Sequence, residues 1–290
     1  MLPLASLLPI PLPMKHAYFG MLLASVLCTA ASAQAPEIIQ FTFDAGDATN
    51  TAVPGVGNGT PLSGVSFAPS QVCSSGQSAV STGGTSVQID TGWQVDLGTS
   101  DWSVGMHLDF TGGSNGFQYY FGSSSTGGFR CFSAGAAGVD GIMLRTLMGG
   151  DVTIPGGAPA GVTTHVVWVH DSTVPEVRGY LNGVLAVTVP QTTPGSGVNG
   201  TAADFIVMNY TTNMLVGTAM DDFRFYRRAI SAAEVAAWAN CGGGGSSIPT
   251  FCDPANNNST GVPTSISGSM GSGVGSGLHL EARQGPAGQF

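Results

Sequence analysis

Apolar and polar residues alternate with period two through much of the chain. In 102–110, WSVGMHLDF, the residues Trp102, Val104, Met106, Leu108 and Phe110 fall on one face of an extended segment. In 220–226, Phe223 and Phe225 alternate with Asp222, Arg224 and Tyr226, which predicts a half-buried strand. Shorter apolar or aromatic runs predict strands at 38–43, 86–89, 93–97, 117–121, 129–132, 142–147, 164–170 and 205–209. Residues 177–181 and 184–189 flank Asn182-Gly183, the pair preferred in a type I′ turn, and read as a hairpin. The passage 50–69 is rich in turn residues and predicts only short pieces of strand. One segment changes period. Ser231 and Glu234 form a capping box ahead of an Ala-rich helix over 232–238, and the glycines at 242–245 stop it. Many short strands with one short helix predict an all-β chain, a two-sheet antiparallel β-sandwich of jelly-roll type.

Composition supports that reading. Only 9% of the 290 residues are charged, against roughly 25% in an average soluble protein. The 44 glycines suit short strands joined by tight turns. The single lysine, Lys15, lies in a leader-like segment. Beyond it seven arginines face 17 acidic residues, a balance that excludes nucleic acid as a partner, since that would need a basic stripe.

The leader has Met14-Lys15-His16 as its basic start, an apolar stretch at 18–28 and an A-x-A site at Ala31-Ser32-Ala33. Residues 1–33 are therefore expected to be a signal peptide, with cleavage near Ala33-Gln34 and export from the cell. The proline-rich residues 1–13 precede a complete signal, so Met14 reads as the true start. No later apolar run is long enough for a transmembrane anchor. Cleavage leaves Cys73, Cys131, Cys241 and Cys252, an even count that predicts two disulfides in an oxidising compartment. Three pairings are open. A local Cys241–Cys252 bridge is easy, and Cys73 would then pair with Cys131. The domain plan is a sandwich over 36–241, a Gly/Ser linker over 242–250 and a C-terminal accessory segment over 251–290.

Several segments together resemble a known family. Ile39-Gln-Phe-Thr-Phe-Asp44, Trp102-Ser-Val, Thr164-His-Val-Val-Trp-Val-His-Asp171, Gly179-Tyr-Leu-Asn-Gly183 and Met220-Asp-Asp-Phe-Arg-Phe-Tyr-Arg-Arg-Ala-Ile-Ser-Ala-Ala-Glu-Val235 occur in the order of a laminin-G-like jelly roll. That family lies in the concanavalin A-like lectin/glucanase superfamily. The resemblance implies two curved antiparallel sheets packed face to face. It also implies a structural Ca²⁺ at the rim, held by Asp44 or Asp47 together with Asp221. Cys252, Asn258-Ser-Thr-Gly261 and Leu278-His-Leu280 resemble a C-terminal module of secreted proteins from planctomycete-type bacteria, and the chain is expected to stop inside that module.

Catalytic constellations are poorly represented. Glucanases of this fold place paired glutamates on one strand, but Glu37, Glu176, Glu234 and Glu281 are far apart in sequence. Asp221 and Asp222, being adjacent, are expected on opposite faces of their strand. His107, His165 and His170 read as partly exposed strand histidines, and no nucleophile elbow accompanies them or His279. The aromatic residues Trp93, Trp102, Phe117, Tyr119, Tyr120 and Trp168 serve either as core or as a sugar-stacking platform. Tyr119 and Tyr120 must face opposite ways. The expected role is a secreted, non-catalytic binding or adhesion module for glycan or an extracellular protein. The alternatives are a glycoside hydrolase or lyase, or a purely structural surface protein.

Overall fold

The computed structural model describes residues 34–70, 72, 76–110, 116–123, 129–133, 141–146, 150–158, 161–191 and 205–240. It also gives the backbone of four short strands at 198–199, 247–248, 265–270 and 278–283. In chain order the strands begin with β1 (Ile39–Phe41), β2 (Thr60–Pro61), β3 (Val65–Pro69), β4 (Gln77–Ser81), β5 (Ile89–Asp90) and β6 (Asp96–Gly98). Then come β7 (Trp102–Asp109), β8 (Tyr119–Ser123), β9 (Phe129–Ser133), β10 (Ile142–Arg145), β11 (Asp151–Ile154) and β12 (Thr163–Asp171). The series continues with β13 (Glu176–Leu181), β14 (Val184–Pro190), β15 (Val198–Asn199), β16 (Ile206–Val207), β17 (Ala219–Tyr226) and helix α1 (Ala232–Ala239). Three last strands, β18 (Ser247–Ile248), β19 (Ser265–Met270) and β20 (Leu278–Arg283), make a small sheet of their own, and β18 falls in the stretch expected to be linker.

Two antiparallel sheets form the predicted sandwich. The eight-stranded sheet runs β14-β13-β12-β7-β17-β4-β3, with β1 also paired to β17. The seven-stranded sheet runs β11-β10-β9-β8-β16-β5-β2. Between them lies one core. Alternation selects its members: Trp102, Val104, Met106, Leu108 and Phe110 from the β7 segment, Phe223 and Phe225 from β17, and Phe129 and Cys131 from β9. The Asn182-Gly183 turn joins β13 to β14 with both residues at positive φ, 49° and 83°, as a type I′ turn requires. The capping box at Ser231 and Glu234 is also present.

β17 departs from the half-buried expectation: every one of its residues is buried. The reason is a second apolar layer. Val235 and Trp238 of α1 pack with Val167, Val169, Tyr180, Tyr226 and Ile230 on the outer side of the eight-stranded sheet. Other differences concern short strands. The stretches predicted at 38–43, 86–89 and 205–209 form only β1, β5 and β16. The sequence pattern did not predict β4 and β11, which are held in place by pairing, β4 with β3 and β17 and β11 with β10.

Cys131 is a free thiol inside the core, where burial pushes its pKa well up. It was expected to pair with Cys73 across the domain. Instead, the inward parity of β9 commits it to packing. Cys73, Cys241 and Cys252, together with the leader and its cleavage site, lie outside the described residues.

Candidate functional site

The seven-stranded sheet has an outer face whose chemistry contrasts with the rest of the molecule. In β9, Phe129 and Cys131 point inward, so Arg130 and Phe132 point outward. In β10, Ile142 and Leu144 point inward, so Met143 and Arg145 face out. Tyr120 of β8 is in the core and Tyr119 is on the outer side. Register brings these residues together. Phe132 lies opposite both Met143 and Tyr119, and Arg145 lies opposite both Arg130 and Asp151.

The side chains interlock. Tyr119 meets Phe117, Phe132 and Tyr210 at centroid distances of 5.2, 5.4 and 5.2 Å. The Arg130 guanidinium lies 5.1 Å from the Tyr210 ring and 5.7 Å from Phe132. The Arg145 guanidinium lies 5.5 Å from the Phe132 ring. Arg145 also donates from Nε and Nη2 to the two oxygens of Asp151, both at 2.7 Å, and this fork holds its pKa above the usual value. Gly122 makes room for Tyr210, because a Cβ there would stand 2.6 Å from the ring. Phe117 is 41% exposed, while Tyr210, Arg130, Met143 and Arg145 are partly exposed. The result is an interlocked aromatic strip that presents Phe117 and Tyr210 over the buried Tyr119 and Phe132, edged by two guanidinium groups and one carboxylate, on a chain that is otherwise acidic.

Of the six aromatics singled out from sequence, Trp93, Trp102, Tyr120 and Trp168 are core residues, and only Phe117 and Tyr119 reach this strip. Phe132, Tyr210, Arg130 and Arg145 were missed. In FRCFS an inward Cys131 implies outward Arg130 and Phe132, but a disulfide role for Cys131 hides that parity.

Of the three aspartates expected to hold a metal, Asp221 lies within β17, and Asp44 and Asp47 lie in the segment after β1. Asp221 is 2% exposed. Its Oδ2 accepts from the hydroxyls of Ser70 (2.6 Å) and Ser78 (3.2 Å), and its Oδ1 accepts from the Asp222 amide (2.8 Å). Burial raises its carboxyl to about 6, although those hydrogen bonds act the other way. Asp44 is exposed and lies against Gly76 at the start of β4; burial of one side and the charge of Asp222 raise its pKa, opposed by Thr42. Asp47 turns to its own loop and accepts from the Thr49 amide at 2.9 Å. Among the described residues no three His, Cys, Asp or Glu side chains converge as a metal cluster.

Asp221 and Asp222 were expected on opposite faces. A bulge overturns this. Met220 and Phe223 both enter the core, the register to β7 shifts between Asp221 and Arg224, and Asp222 has φ of 44°. Asp222 is free to pair with Arg224, Nη2 to Oδ2 at 2.6 Å, and the Arg224 guanidinium sits 4.9 Å from the Trp238 ring. His107 and His165 are buried rather than partly exposed, because the end of α1 lies near them. His170 is buried against Trp102, with ring centroids 5.5 Å apart. The described glutamates each serve an ion pair: Glu37 and Glu234 with Arg228, and Glu176 with Arg178.

A family profile described as the concanavalin A-like lectin/glucanases superfamily, of laminin-G type, matches residues 81–236, more than half of the chain. The chain belongs to this superfamily. No curated protein matches it. Among solved structures, domain 4 of an extracellular GH43 arabinanase from Geobacillus stearothermophilus, in complex with arabinotriose, is similar at 18% identity. That match has a TM-score of 0.49 and covers 71% of this chain and 99% of that one. The CBM40 of a Ruminococcus gnavus sialidase, bound to α2,3 sialyllactose, matches at 15% identity with a TM-score of 0.40, covering 49% and 84%. The receptor-binding domain of botulinum neurotoxin type G matches at 13% identity with a TM-score of 0.46, covering 64% of this chain and 47% of that one. Among the described residues no helix is long and apolar enough to cross a membrane.

Proposed function

We propose that this superfamily member is an exported, non-catalytic binding module, and that the outer strip of the seven-stranded sheet receives a glycan. The observation that carries this reading is the aromatic–arginine strip. Sugar rings present C–H faces that pack on exposed aromatic surface, and their hydroxyls take hydrogen bonds from guanidinium donors already oriented by neighbours. Arg145 is held by Asp151, and Arg130 lies beside Tyr210 and Phe132. A glycan array probed with the full chain tests the proposal. Binding should fall about tenfold or more in Tyr210→Ala and Phe117→Ala, roughly 1.4 kcal/mol, with melting temperature little changed. No ligand on the array, or a ligand whose binding both variants retain, would sink it. An extracellular protein partner would use the same strip and would show as pull-down lost in the same variants.

We further infer that Asp221 and Asp44 hold a structural Ca²⁺. The donors there are hard oxygens: the two carboxylates and the Ser70 and Ser78 hydroxyls that contact Asp221. Asp47 does not share in this set. Calcium should raise the melting temperature of EDTA-treated protein, and Asp221→Asn should abolish the rise.

A further inference from the structure

Near the C-terminal end of α1, the outer face of the eight-stranded sheet carries a histidine pair that neither proposal above employs. His107 of β7 and His165 of β12 are antiparallel register partners, so their side chains lie side by side on one face. Their ring centroids are 4.4 Å apart and the planes are tilted by 38°. They are 3% and 2% exposed. Trp238 of α1 packs edge-on to His165 at 4.9 Å. A cavity of about 90 Å³ adjoins the two rings, walled also by Val72, Thr163, Thr164, Asn182 and Ala239.

Three of the four ring nitrogens have no hydrogen-bond partner: both of His165 and Nδ1 of His107. The fourth, Nε2 of His107, is 3.5 Å from the Ala239 carbonyl oxygen, at the outer limit of a hydrogen bond. Unpartnered buried nitrogens are costly and rare in folded proteins, and two on adjacent rings at a cavity ask for an occupant. The surroundings select its charge and type. Burial holds both imidazoles below their ordinary pKa, so each keeps a nitrogen lone pair at neutral pH. The carbonyl end of α1 contributes partial negative charge at the cavity wall. Asp222 acts on His107 more strongly than Arg224 and with the opposite sign, and the Arg224 guanidinium, which also acts on His165, is itself tied to Asp222. A cation with affinity for imidazole nitrogen answers all of these features, whereas Ca²⁺ prefers oxygen.

We propose that His107 and His165 are two ligands of a site for a borderline divalent transition-metal ion of the Zn²⁺ or Cu²⁺ class. The ion bridges β7 and β12, and its remaining positions open to the cavity for water or an external oxygen ligand. It is separate in chemistry from the oxygen site at Asp44 and Asp221.

The test uses the full chain without an affinity tag, stripped with EDTA and dialysed. Zn²⁺ should bind at one equivalent by titration calorimetry and raise the melting temperature. Cu²⁺ should give an electron paramagnetic resonance spectrum with two coordinated nitrogens. His107→Gln and His165→Gln should each weaken Zn²⁺ at least tenfold, while Asp47→Asn and His279→Gln leave it unchanged. Fewer than two nitrogens on Cu²⁺ in the unaltered protein overturns the proposal, and this readout does not depend on either variant folding. Zn²⁺ binding that survives both histidine substitutions, or no binding at all with water alone filling the cavity, overturns it equally.

Discussion

Asp221 shows how one buried carboxylate couples the fold to its solvent. Its folded pKa of about 6 stands above the ordinary 3.8, so the folded state holds the proton more tightly than the unfolded chain. The stability it contributes is full below about 4 and is lost as pH rises through about 6, on the order of 3 kcal/mol over that window. His107 and His165 have the opposite sign, because their lowered pKa values take stability away as pH falls below the ordinary histidine range. The informative quantity is thus a difference. In calcium-free buffer, the stability of the native sequence relative to Asp221→Asn should increase between pH 7.5 and pH 5 in urea titrations. A difference that stays flat with pH means that Asp221 does not titrate in this way. Asp222 and Arg224 make the second residue-scale prediction. Both are buried, at 7% and 8% exposure, so Asp222→Ala strands a cation against Trp238. It should cost about 3–5 kcal/mol by denaturant midpoint. Neither role was legible in MDDFRFY, because period two assigns adjacent aspartates to opposite faces and only the bulge in the β17–β7 ladder cancels that assignment.

Helix α1 and the β13–β14 hairpin form a clasp at the edge of the eight-stranded sheet, to which the hairpin itself belongs. Ser231 and Glu234 close the N-terminus of the helix, and Glu234 also binds Arg228 at 2.7 Å. Ser231→Ala should lower stability by about 1 kcal/mol. The hairpin turn touches the far end of the helix. A Cβ at Gly183 would lie 3.0 Å from the Ala239 Cβ and 3.1 Å from the Ala236 Cα, at a φ that other residues rarely adopt. Gly183→Val should therefore exceed the cap variant in cost, and it should shift the near-ultraviolet signal of Trp238, which a turn effect alone would leave in place. The cap and turn could be read from sequence since both are local: a hydroxyl three residues from a glutamate, and an Asn-Gly pair between apolar runs. The contact between the turn and the far end of the helix could not, because more than fifty residues separate Gly183 from Ala236 and Ala239.

At the level of the whole molecule, the two outer faces have different fates. α1 covers part of the eight-stranded sheet, and the strip around Tyr119, Phe132 and Tyr210 on the seven-stranded sheet has no helix over it among the described residues. Cys131 lies on the inner side of that sheet, and its thiol should react with a disulfide reagent only after denaturation. Rapid labelling of Cys131 in the native protein would contradict its place in the core. Sequence alone determined the β-sandwich, its superfamily, the inward set of β7 and β17, and the two local punctuation marks of the clasp, because alternation, caps and turns are set by neighbours along the chain. Only the tertiary structure decided that β17 is buried on both faces, that Asp221 and Asp222 share a bulge, that His107 meets His165, and that Arg130, Phe132, Arg145 and Tyr210 form one surface. Those outcomes depend on strand register and on which element covers which face, and both are fixed by contacts between residues distant in sequence.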